Sequence, residues 1–195
     1  SGIEVWNVKN SVPSVITGGS VTGTTRGVFV NNYDGYASDA DGGAHATISN
    51  ITITPAASGT GIWVYDNPAS THKNVQATIG TGVIVNNGTH CLVIENTSAS
   101  ISSFGNVAFT GQTGNYIYLI NNATNIDATT ATFGGNTGLA ASLSQNFAIE
   151  NKIVHKIDHA PLGLVRVRVA NLYVTPLSFI TPLTTIASVQ RGVDA

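Results

Sequence analysis

One short phrase, repeated along the chain, restricts the fold more than any other feature: apolar residue, any residue, apolar residue, any residue, asparagine. It occurs six times, as "VWNVKN" ending at Asn10, "VFVNN" at Asn32, "IWVYDN" at Asn67, "LVIEN" at Asn96, "IYLINN" at Asn122 and "FAIEN" at Asn151, with spacings of 22, 35, 29, 26 and 29 residues. A period of roughly 20–50 residues marks an array of supersecondary units, each too small to bury its apolar face alone. Behind each of the first five phrases stands a second alternating segment: "SVIT" at 14–17, "HATISNITIT" at 45–54, "VQATIG" at 75–80, "ASISSF" at 99–104 and "NIDATTATF" at 125–133. Glycine-marked corners, as at Gly23, Gly59, Gly114 and Gly138, then lead back to the phrase. Alternation at period two predicts strands, and the pattern predicts no amphipathic helix over residues 3–149.

Short strands broken by frequent turns also suit a β-sandwich. The asparagine in register separates the two folds. A sandwich gives no reason for one polar residue to recur once per unit, whereas in a stack of coils it sits at an inward corner and bonds to its counterparts above and below. Such a ladder of Asn10, Asn32, Asn67, Asn96, Asn122 and Asn151 would satisfy amides that cost about 1–3 kcal/mol each if buried unpaired. Asparagine also tolerates the left-handed backbone of a tight corner.

On these residues the chain resembles the right-handed parallel β-helix superfamily, which includes pectate lyases, phage tailspikes, autotransporter passengers and many secreted bacterial repeat proteins. The resemblance implies an all-β solenoid of about five to six coils over residues 1–151, and it speaks to fold more than function. Residues 152–195 lack the phrase and carry more charge. They read as an atypical C-terminal segment, a strand pair and a short helix, either a cap or the start of a following module. The closing "IASVQRGVDA" resembles the short amphipathic helix that leads into the first coil of many bacterial β-helices, with Ile186, Val189 and Val193 on one face.

Composition narrows the partners. Only 9% of the residues are charged and the net charge is −2, which leaves no footprint for nucleic acid. No apolar run approaches the ~20 residues of a membrane-spanning helix, so membrane insertion is not expected. A surface rich in Thr, Asn, Ser and Gly over a β-branched interior suits an extracellular or cell-surface protein. Methionine is absent, so the chain reads as a piece of a longer one. Its single cysteine, Cys91, reads as a small buried side chain.

Candidate chemistry is sparse. The loop "NNYDGYASDADGGAH" at 31–45 gathers Asp34, Asp39 and Asp41 among glycines, a candidate calcium site without the terminal glutamate of an EF-hand; otherwise no cofactor is implied. Polysaccharide-cleaving β-helices need clustered carboxylates. In register, Lys9, Asn31, Asp66, Glu95, Asn121 and Glu150 would form one outward column, making Asp66 and Glu95 a carboxylate pair with no basic residue to complete a site. Trp6, Phe29, Trp63, Val93, Tyr118 and Ala148 would form another column, facing either core or ligand. Tyr65 could stack on a sugar, and Arg166 and Arg168 in "VRVRV" could grip a carboxylate or sulfate. His155 and His159 stand at a zinc-like spacing that lacks its glutamate and runs into Pro161. The function expected is therefore a non-enzymatic structural or adhesive segment, able to assemble end to end with copies of itself or adjacent β-helix modules. The runner-up is a carbohydrate-binding β-helix or a polysaccharide lyase or hydrolase.

Overall fold

The computed structural model describes residues 1–6, 12–32, 43–71 and 73–195. Strands take up 41% of the described residues and helices 7%, and nearly all strand pairing is parallel. Sheet A contains β1 (Ile3–Trp6), β4 (Arg26–Asn31), β7 (Thr60–Tyr65), β10 (His90–Glu95), β13 (Ile117–Ile120) and β17 (Ile153–Val154), in that order. Sheet B contains β2 (Ser14–Thr17), β5 (Ala44–Ser49), β8 (Val75–Ile79) and β11 (Ala99–Phe104). Sheet C contains β3 (Ser20–Thr22), β6 (Thr52–Thr54), β9 (Val83–Asn86), β12 (Val107–Thr110), β15 (Thr132–Phe133) and, antiparallel at its edge, β16 (Asn136–Thr137). The chain visits A, B and C in turn, so through β10 each strand pairs with the one three places on. Three strands make a circuit where the sequence showed two; "GVIVN" and "NVAFTG" supply the third.

Register explains the core. Ile3, Val28, Ile62, Leu92, Ile117 and Ile153 pair in succession across sheet A, and so do Val5, Val30, Val64, Ile94 and Leu119. Because side chains alternate faces along a strand, every second residue enters the interior beside its own kind, and Ile62, Leu92 and Ile94 are fully buried. Where sheet A begins, the room vanishes. A Cβ on Gly61 would lie 2.2 Å from Val85 Cγ1 and 2.7 Å from the Cys91 carbonyl oxygen. Cys91 itself is buried in the next circuit, where burial pushes its thiol up to about 12.

The order changes near residue 125. Sheet B stops at β11; β14 (Ile126–Asp127) pairs instead with β18 (Val165–Arg166) in a separate two-stranded sheet, D. The sixth match to the phrase, "FAIEN", is not a strand. Leu143–Glu150 form α1, capped by Ser142, whose hydroxyl accepts from the Gln145 N–H while the Gln145 side chain accepts from the Ser142 N–H. This capping box and the i, i+3 burial of Asn146 and Ile149 overturn the expectation that residues 3–149 hold no helix. Beyond it, β17 continues sheet A, and the chain ends through α2 (Val189–Val193).

Candidate functional site

Three groups of residues carry the polar chemistry. The first is the corner that follows sheet A. Asn31, Tyr65 and Glu95 are register partners, so the next positions, Asn32, Asp66 and Asn96, correspond to one another. The ladder is therefore corrected at its third and fifth members: Asp66, not Asn67, and Asn121, not Asn122, lie in the column, because "IWVYDN" and "IYLINN" each carry one extra residue before the asparagine, and Asn122 is buried one place further on. Asn32 Nδ2–H donates to Asp66 Oδ1 at 2.8 Å, the Ser98 N–H donates to Asp66 Oδ2 at 3.3 Å, and Lys73 Nζ stands 3.6 Å from Oδ1. Asn96 Nδ2–H donates to the Asp66 carbonyl at 2.9 Å, and Asn122 Nδ2–H donates to the carbonyls of Asn96 and Ala99, both at 2.6 Å. The amides thus mostly bond to main-chain carbonyls of the preceding circuit and not to one another. Asn67 stands half-exposed outside the column, its side chain accepting from the Ala69 N–H. Asn151 is the C-cap of α1, exposed and bonded to the Thr175 hydroxyl. Asn10, Asp34, Asp39 and Asp41 lie outside the described residues, as does Lys9.

This corner also removes the expected carboxylate pair. Asp66 is 1% exposed and turned inward, whereas Glu95 stands on the outer face of sheet A. Glu150 lies in α1, away from that column. What the structure does bring together on the outer face is Tyr65 and Glu95, in register, with Trp63 Nε1–H donating to Glu95 Oε2 at 3.1 Å. Burial raises the Glu95 carboxyl above its ordinary range, the Trp63 bond working against it. Tyr118 is raised by burial and by the Glu95 charge, and burial lowers His90.

The aromatic column is corrected by register as well. Phe29, Trp63, Val93 and Tyr118 are partners, but Glu4 and not Trp6 precedes them, Val154 follows them, and Ala148 belongs to α1. Their rings lie outside the interior cluster yet pack on one another: Phe29 and Trp63 at 5.3 Å, tilted 52°, and Trp63 edge-on to Tyr65 at 5.9 Å. The Arg26 guanidinium sits 4.3 Å above Phe29, a cation–π contact that helps hold Phe29 to 6% exposure. Asn31 donates to Glu4 Oε1 at 3.0 Å on the same face.

The second group was missed in the sequence. His155 Nδ1 accepts the Val165 N–H at 3.0 Å, so Nδ1 bears no proton; Nε2–H then donates to Glu150 Oε1 at 2.8 Å. The imidazole is nearly inaccessible, as is Glu150. Asp158 Oδ2 accepts the His155 N–H at 2.9 Å, and burial pushes the Asp158 carboxyl up to about 6. A zinc ion at His155 would need the lone pair that the Val165 amide already occupies. Among the described residues no cluster of His, Cys, Asp or Glu is arranged to hold a metal ion. The only sequence signal for this group was the Ser142–Gln145 capping box, which would have moved Glu150 onto a helix.

The third group contains the two arginines. Val165 and Val167 are buried and Arg166 is exposed, as the alternation of "VRVRV" requires, but the strand ends at Arg166 and Arg168 makes an isolated bridge to Asn171. Arg166 is the register partner of Asp127, whose carboxyl is held low by bonds from the Thr129 hydroxyl and N–H, with a smaller contribution from Arg166. These arginines belong to sheet D and its extension, so they join neither Asp66 nor the Tyr65–Glu95 pair in one site.

No protein-family model, curated protein or solved structure matches the chain.

Proposed function

We propose that the chain is a segment of a right-handed parallel β-helix, a non-enzymatic structural or adhesive unit of a secreted or cell-surface bacterial protein. The observation that carries this reading is the register of sheet A, in which six strands drawn from residues 3–154 set like residues over like. A stack of this kind supplies length and stiffness through nearest-neighbour contacts alone. Right-handedness follows the general rule for parallel crossovers. The inward turn of Asp66 and the enclosure of Glu150 by His155 favour a holding role over a hydrolytic one, because glycoside hydrolysis needs two carboxylates flanking a bond in the open.

End-to-end assembly with copies or neighbouring β-helix modules, and calcium in the loop bearing Asp34, Asp39 and Asp41, extend the same reading. A polysaccharide-retention assay tests it. Immobilised chain should hold at least one extracellular polysaccharide while releasing no new reducing ends and no unsaturated product. Product release that scales with protein concentration would replace this reading with a lyase or hydrolase.

A further inference from the structure

Between β11 and β14 the stacking is interrupted. β11 pairs with β8 on one side, but no backbone hydrogen bond joins it to β14, which should have been the next strand of sheet B. The interruption leaves a surface groove of about 400 Å³ between Ser102–Phe104 on one bank and Asn125–Thr130 on the other. It runs on into a second hollow of about 350 Å³ that shares Asn125, Ile126 and Asp127 and is bordered by Lys156 and Arg166. Both volumes fall within the range of sites for small ligands, about 300–1,000 Å³.

The lining has a definite character. Ser102, Ser103 and Thr130 present hydroxyls, Ile101 and Phe104 provide an apolar floor, and the Asn125 amide keeps its N–H groups free while its oxygen accepts the Leu164 N–H at 2.8 Å. Neither Lys156 nor Arg166 lies within ion-pair distance of a carboxylate among the described residues, where Lys73 stands beside Asp66 and His155 is hydrogen-bonded to Glu150. Asp127 is already engaged by Thr129. The groove therefore offers two cations outside ion-pair distance at one end of a hydroxyl-lined trough, Arg166 in register with Asp127.

We propose that this groove binds an acidic oligosaccharide, its carboxylate or sulfate groups at Arg166 and Lys156 and its rings along Phe104 and Ile101. Guanidinium matches such anions in bidentate fashion, while ammonium acts as a point charge. The polar groups of the banks suit sugar hydroxyls. An extended peptide fits less well, since a strand added to β11 would meet the register break between Ile101 and Ser103 and lose its ladder there. The inference rests on the holding role proposed above and names what is held.

The test is calorimetric titration of the intact chain with an oligogalacturonate hexamer, a heparin hexasaccharide and uncharged maltohexaose. At least one acidic oligomer should bind, and more weakly at high salt, as exposed charge pairs require. Maltohexaose should bind at least tenfold more weakly. Arg166→Gln and Lys156→Gln should each weaken binding several-fold, and the double variant at least tenfold, at an unchanged melting temperature because both side chains reach solvent. Binding of neither acidic oligomer, equal binding by the double variant, or displacement of the oligomer by an extended peptide at lower concentration overturns the proposal. Unchanged melting and strand content in the same samples confines such a failure to the groove and leaves the stack itself standing.

Discussion

In the circuits through residue 137, inward side chains rest on their counterparts in the next circuit, and the apolar interior is Val, Ile, Leu, Phe and Ala with Cys91. Residues 138–195 are attached differently. Asn146 ties α1 to the carbonyls of Gly138 and Ala141, Thr184 donates to the Asp158 carbonyl, and Arg191 donates to the carbonyls of Ile157, Ser178 and Ile186 at 2.7–2.8 Å. Meanwhile Leu177, Ile186, Val189 and Val193 stay largely exposed. The first region depends on many similar contacts; in the second, Ile149, Ile153, Leu162 and Val165 join the same interior, and residues 176–193 beyond them are held by a few specific bonds. The shared interior should unfold as a block, and residues 176–193 should open locally, since low-stability segments open with little apolar burial to oppose them.

The largest break in that comparison is a cavity in the first region. Leu92→Ala, at a fully buried position, should cost about 3–5 kcal/mol and lower the melting temperature of the whole chain by about 10 °C, seen equally by circular dichroism and calorimetry. Next comes the polar corner. Asn122→Ala removes the amide that donates to the carbonyls of Asn96 and Ala99, each of which keeps one other donor, and should cost about 1 kcal/mol, again for the block as a whole. Arg191→Ala should separate the regions: amide exchange in 176–193 should speed up by tenfold or more, while the main melting transition stays in place. A matching fall in the main transition would show the two regions to be one cooperative unit.

A smaller effect is set by pH. Burial raises the Asp158 carboxyl from 3.8 to about 6. A raised folded-state value means that the native state binds the proton more tightly, so this contribution is fully present below the unfolded value and lost as pH rises through about 6. Exchange in the last 30 or so residues, corrected for intrinsic rates, should be slower at pH 5 than at pH 8. Asp158→Asn should flatten the difference, and a reversed slope would contradict the burial argument.

Much of the first region was legible because its physics is periodic. "SVIT" and "ASISSF" coincide with β2 and β11, and "VQATIG" ends one residue beyond β8. The third strand of each circuit was passed over because runs such as "GVIVN" lie so near the glycine corners that they read as part of the turn. One inserted residue in "IWVYDN" placed Asp66 outward in the sequence, whereas hydrogen bonding places it inward beside Asn32. "FAIEN" shows the limit of pattern matching, since its apolar alternation is equally compatible with one turn of helix and only the preceding Ser–x–x–Gln decides. The His155–Glu150 contact could not be read at all, because it depends on which main-chain amide reaches Nδ1. The groove at β11 left only a faint trace, the Ser102–Ser103 doublet that breaks the alternation.

The central claim, that the chain returns to each sheet every third strand, can be measured as a distance. Ser20, Thr52, Ile84, Ala108 and Thr132 are successive partners across sheet C. Spin labels on cysteines placed at 20 and 132 should therefore lie four strand spacings apart, about 19 Å, although 112 residues separate them. The buried Cys91 thiol, pushed up to about 12, should not react. Electron paramagnetic resonance should give a narrow distribution near that value, shortened to about 14 Å for labels at 52 and 132. A broad distribution, or a separation beyond about 30 Å, would contradict the stacked arrangement.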